Sequence, residues 1–163
     1  YNIYAKVNLA GDQNTANDQS AIMTVAVQDA GALVVTIGTD TTANTTSGAP
    51  TPYGTWYKNF RQQYLYKADD IFTNGGAPGL LTALAFEVSN VNNCSPMPNY
   101  TIRLKHTQLN ALTTTFEDGD YTQVFLEDNF LPVNGWNVHT FETPFVWNGV
   151  DNILVDIVTS LIP

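Results

Sequence analysis

Three groups of acidic residues are the first places to look for chemistry: Glu117-Asp118-Gly119-Asp120, Glu127-Asp128 and Asp69-Asp70. Paired carboxylates act as acid and base on a glycosidic bond when a fold holds them at a fixed separation across the substrate. They also bind Ca2+, which takes roughly six to eight oxygen ligands from carboxylates, amides and carbonyls. Glu117, Asp118 and Asp120 are the best seed for such a cation site, although EF-hand spacing is absent. A solvated turn is the competing reading. His106 and His139 are the two histidines. No His-Glu-x-x-His, no Gly-x-Ser-x-Gly and no second cysteine accompanies them, so structural or surface roles are expected. Cys94 is the one cysteine, so no intrachain disulfide forms. Its neighbours Asn92, Asn93 and Ser95 supply none of the basic surroundings that make a thiol reactive.

A second chemical group is aromatic. Tyr53, Trp56, Tyr57 and Phe60 follow a stretch rich in Thr, Gly, Ala and Pro. Aromatic faces stack on sugar rings while nearby Asn and Asp bind hydroxyls. Tyr53, Trp56 and Tyr57 are therefore the candidate ligand-binding residues, and closure of the core end is the alternative use of the same rings. The sequons at Asn44, Asn93 and Asn99 are expected in any chain so rich in Asn and Thr.

Composition narrows the partners. Charged residues make up 13% of the 163 residues, against roughly 25% in ordinary soluble domains. Neutral polar side chains must therefore solvate the surface. A net charge of −9 disfavours nucleic acid and anionic membrane, whose recognition rests on Lys and Arg. It remains compatible with divalent cations and neutral glycans. No signal peptide and no apolar run of membrane-spanning length is present, so no membrane insertion is expected. Tyr1 in place of an initiator Met reads as a piece cut from a longer precursor.

Alternation places these residues on strands. The organising stretch is 135–158, GWNVHTFETPFVWNGVDNILVDIV, read as two strands joined by an Asn148-Gly149 turn. Residues 153–158 are apolar on both faces, which predicts a strand in a sheet interior. The run 80–88 is the second choice for a central strand. Strands are also expected at 62–66, with a single short turn near Asp69, and at 100–106, with Ile102 and Leu104 inward. A further strand covers 122–126. Turns fall at Asn74-Gly75, Asp118-Gly119 and Asn134-Gly135. Upstream, residues 1–9 and 20–27 read as a hairpin whose face carries Ile3, Ala5, Val7 and Leu9. A third strand covers 32–37, and an exposed loop covers 38–52. Short strands, frequent turns and no long helix predict an all-β, antiparallel β-sandwich.

The motifs PYGTWY, QQYLYKADDI, LLTALAFEV, NYTIRLKHT and GWNVHTFETPFVWNGVDNILVDI together resemble a β-sandwich module of large secreted and cell-surface proteins of Bacteroidetes. Many of those proteins are substrates of the type IX secretion system, and gingipain-type adhesin domains are more distant in pattern. The resemblance spans about residues 34–158. It implies a jelly-roll or galactose-binding-like sandwich within an adhesin, protease or other multidomain precursor, and it implies no catalytic residues. The opening YNIYAKVNLAGDQNTANDQS resembles the last hairpin of an immunoglobulin-like repeat. Expected boundaries are thus 1–28 for that hairpin or assembly element and 29–163 for the sandwich, which is expected to continue by a strand or two beyond Pro163. The expected function is a non-catalytic adhesion or structural module of a secreted, extracellular cell-surface protein. Its partners are neighbouring domains, copies of itself or a cell-surface glycan. A carbohydrate-binding module attached to a secreted hydrolase is the alternative.

Overall fold

The computed structural model describes residues 2–6, 10, 11, 14, 16, 18–24, 33–38, 51–56 and 59–160. The chain divides into two compact units, Tyr1–Leu33 and Val34–Pro163. In the first, β1 (Asn2–Ile3) pairs antiparallel with β2 (Met23–Thr24), and a Lys6↔Gln19 bridge continues the pairing. Ser20 locks the hairpin from both sides: its N–H donates to the Ala5 carbonyl at 2.9 Å, and its Oγ accepts from the Ala5 N–H at 3.0 Å. Residues 20–22 of the expected second strand carry no ladder, and 25–27 lie outside the described residues. Of the expected apolar face, Ala5 is exposed, while Val7 and Leu9 lie outside the described residues.

The described part of the strand expected at 32–37 is not a strand: residues 33–37 have no strand pairing, and Leu33 and Val34 are exposed. An apolar run becomes a strand only when a neighbour completes its hydrogen-bond ladder, and local pattern does not supply one. Most of the expected 38–52 loop lies outside the described residues.

The second unit is an all-β, antiparallel sandwich. Its strands are β3 (Phe60–Tyr66), β4 (Gly79–Val88), β5 (Met97–Thr107), β6 (Thr122–Phe130), β7 (Gly135–Trp147) and β8 (Asn152–Thr159). One sheet has the order β3-β8-β5-β6 and the other is the pair β4-β7. The pairings β3–β8, β4–β7 and β5–β6 are nested, as in one long hairpin, and rolling that hairpin up brings β5 against β8 as well. This is jelly-roll-like connectivity.

The organising stretch differs from its reading in one respect. β7 and β8 do not pair with each other; they lie in different sheets, and the Asn148-Gly149 turn carries the chain between them. Gly149 has φ +73°, and a Cβ there would run into the Pro78 ring, so the crossing requires glycine. β8 is central and buried on both faces, as its composition predicts. β4 is not central: it belongs to a two-stranded sheet, and its outward Leu80 is exposed. Its register with β7 shifts between Leu81 and Ala83, opposite the stretch containing Pro144, which has no N–H to complete a ladder.

The core fills the space between the sheets. Tyr100, Ile102 and Leu104 of β5 and Ile153, Val155 and Ile157 of β8 meet Phe141, Phe145 and Trp147 of β7. Met97 and Tyr100 both point inward because Asn99 takes φ +48° between them and breaks the alternation. The turn near Asp69 is the six-residue helix α1 (Ala68–Thr73), which buries Ala68 and Ile71. The Asn152 Oδ1 accepts from the Ala68 N–H at 2.8 Å and so satisfies one of its free first-turn donors.

Candidate functional site

The predicted aromatic group is split. Tyr53 joins the core: its ring lies 5.4 Å from Phe130 and 5.7 Å from Tyr100, centroid to centroid. Trp56 is 81% exposed, and Tyr57 lies outside the described residues. Phe60 packs against the core. Trp56 therefore has no aromatic neighbour from this group beside it among the described residues.

At the centre of the rings around Tyr53 lies His139, fully buried on the inward face of β7. Its Nε2 is 2.8 Å from the Tyr53 hydroxyl, and Tyr100, Phe125 and Phe130 surround the ring within 5.3 Å. Nδ1 has no hydrogen-bond partner among the described residues. Placing the proton on Nε2 leaves only a lone pair unsatisfied, which costs less than an orphaned N–H. Burial lowers the His139 pKa to about 4, so the imidazole is neutral at pH 7. Burial likewise raises the hydroxyl pKa values of Tyr53, Tyr64 and Tyr100 well above 10. The cluster is a polar-tipped aromatic core, with neither an activated nucleophile nor a poised base beside the histidine.

The acidic seed also has a definite place. Asp118 Oδ1 accepts from Arg61 Nη1 at 2.9 Å, and the Glu117 backbone is bound by Gln63 in both directions. Asp120 is exposed. Among the described residues no three His, Cys, Asp or Glu side chains converge to hold a metal ion. The turn is instead the end of a strap, residues 108–121, fastened over the outward face of the four-stranded sheet. Its anchor is a residue the motifs did not single out. Asp156, fully buried on β8, accepts from Arg61 Nε at 2.8 Å, from Gln63 Nε2 at 2.9 Å and from Arg103 Nε at 3.0 Å, with Arg103 Nη2 also on Oδ2. A lone acid in the run ILVDIV was the available signal, because a carboxylate inside an apolar strand must find cations. Tyr121 completes the strap. Its hydroxyl donates to the Glu117 carbonyl at 2.9 Å, and Arg103 and Lys105 lie over its ring. Burial first, then the Asp156 charge, raise its pKa to about 12.

The β4–β7 pair presents the opposite kind of surface. Leu80↔Val146, Ala85↔Val138 and Glu87↔Trp136 are cross-strand neighbours, and Leu80, Trp136, Val138 and Val146 are all exposed. They fall in two groups, Leu80 with Val146 at one end and Val138 with Trp136 at the other, with the exposed Thr140, Glu142, Thr143 and Pro144 between them. Single exposed apolar residues are ordinary, and clusters of them are the ones that need an explanation. Each strand also has one edge without a ladder partner among the described residues.

Fold and surfaces together define an antiparallel β-sandwich module. No protein-family model, curated protein or solved structure matches the chain. Among the described residues no helix is long and apolar enough to cross a membrane.

Proposed function

We propose that this chain is a non-catalytic adhesion or structural module of a secreted bacterial cell-surface protein, and that it works through the outward face of β4–β7. The observation carrying this reading is the pair of exposed apolar clusters, Leu80 with Val146 and Val138 with Trp136, on a two-stranded sheet that has no further ladder partner among the described residues. Such a surface gains by burial against a second copy of the chain, at about 25 cal/mol per Å² of apolar area removed from water. A stacking platform at Tyr53, Trp56 and Tyr57 is less favoured, since Tyr53 belongs to the core.

Sedimentation of the chain at rising concentration tests the reading. The expected result is reversible self-association that disappears in the double variant Val138→Lys, Val146→Lys, with the folded state retained. A chain that stays monomeric up to about 1 mM, or a double variant that associates equally well, defeats the proposal; 1 mM corresponds to only about 4 kcal/mol of association.

A further inference from the structure

The strap covers only part of the outward face of the four-stranded sheet. Beyond it the face remains open as a shallow groove of about 380 Å³. Register builds this groove in two rows. Val158, Thr101 and Leu126 sit side by side across β8, β5 and β6, and Arg103 and Gln123 form the next row. Asn99 and Ser160 close its end, tied together by Asn99 Nδ2 donating to the Ser160 carbonyl at 2.9 Å.

The chemistry of these groups is mixed. Val158 and Leu126 supply a small apolar floor. The Gln123 side-chain amide has no hydrogen bond to any described residue, so it offers both a donor and an acceptor. Thr101 Oγ1 donates to the Asn99 carbonyl at 2.9 Å and keeps its lone pairs free to accept. Arg103 is held by Asp156 and Tyr121, while its Nη1 has no protein partner among the described residues. Because Asp156 and Asp118 together balance Arg61 and Arg103 and the chain carries a net charge of −9, an anionic ligand gains little there and is repelled at longer range.

We infer that this groove binds a neutral glycan, with the C–H face of a sugar ring on Leu126 and Val158 and its hydroxyls on Thr101, Arg103 and Gln123. A sugar hydroxyl both donates and accepts, which matches interleaved donors and acceptors around an apolar patch. Neighbouring strands lie about 4.8 Å apart, so three strands span roughly 10 Å, a width suited to a short oligosaccharide. The site lies on a different sheet from the apolar β4–β7 face, so either surface can fail without the other.

The test is a glycan array of neutral and uronic-acid oligosaccharides, followed by NMR titration of the full chain with the best neutral binder. Expected are hits confined to neutral glycans, with shift changes at Thr101, Arg103, Gln123 and Ser160. Gln123→Ala and Thr101→Val, both on the open face, should each weaken binding roughly three- to tenfold, as for one lost hydrogen bond, at unchanged melting temperature. Trp56→Ala should bind as the unaltered chain does. An empty array, a preference for acidic sugars, shifts centred on Trp56, or full affinity in both groove variants overturns the inference. Capture of peptides with no glycan bound overturns it as well.

Discussion

The outward face of the four-stranded sheet is covered where its buried charge lies: Asp156 is fully buried beneath Arg61, Arg103, Gln63 and the 108–121 strap. The outward face of β4–β7 carries exposed apolar groups, Leu80 with Val146 and Val138 with Trp136, interrupted by Thr140 and Glu142. A buried carboxylate without its cations costs several kcal/mol, so the chain provides its own cover there. An exposed valine costs the folded monomer little relative to the unfolded chain, so nothing within the fold requires it to be covered. The difference is between a surface that the chain covers with its own residues and one whose exposure costs the fold little.

The largest expected effect comes from setting the two tryptophans of β7 against each other. Trp147 is 1% exposed, and its indole N–H donates to the Asp151 carbonyl at 2.7 Å; Trp136 is 54% exposed on the outward face. Urea denaturation should show Trp147→Ala losing about 3–5 kcal/mol and Trp136→Ala within about 0.5 kcal/mol of the unaltered chain. Equal losses would mean that the inward and outward faces of β7 are wrongly assigned.

Next in size is Asp156→Ala, expected to cost about 3 kcal/mol. Arg61 and Arg103 keep some solvent contact, which holds the loss near the low end of the range for broken buried pairs. Proteolysis within the strap should accelerate in step. A loss below about 1 kcal/mol would show that the covered face does not depend on its anchor.

A smaller, pH-dependent effect comes from the interior that joins the two sheets. The folded-state pKa of His139 lies at about 4, below the ordinary 6.5, so the unfolded chain takes up the proton first. Stability is therefore flat above pH 6.5 and falls as pH drops from 6.5 toward 4, by at most about 1.4 kcal/mol per pH unit. Between pH 6.5 and 5 the expected loss is on the order of 2 kcal/mol, and His139→Gln should remove that slope. A slope that persists in His139→Gln would assign it to other groups. The weakest effect on stability belongs to the Val138→Lys, Val146→Lys pair, within about 0.5 kcal/mol, although its effect on association should be complete.

Much of this was legible in the residues. Ile102 and Leu104 alternate inward as expected, β8 is apolar on both faces and lies in the sheet interior, and Gly75, Gly119, Gly135 and Gly149 all take the positive φ their turn dipeptides imply. The candidate site was legible in its parts and not in its arrangement. Tyr53 and Trp56 are close in sequence, yet one enters the core and the other faces solvent. Asp118 has the composition of a cation ligand and instead meets Arg61, far away along the chain.

Alternation, turn chemistry and composition are local properties, and they were enough to dictate an all-β chain, most of its strand positions and the inward residues of β5 and β8. Pairing is not local. A run such as LLTALAFEV has the same apolar content whether its second face meets another layer or none, and only the rolled hairpin decided that β4 stands in a two-stranded sheet with that face exposed. The same closure put β7 and β8 in different sheets across Gly149, brought Arg61 and Arg103 onto the two strands flanking Asp156, and left the groove beside them open. Those contacts join residues distant in sequence, so their energies appear only once the sheets have formed.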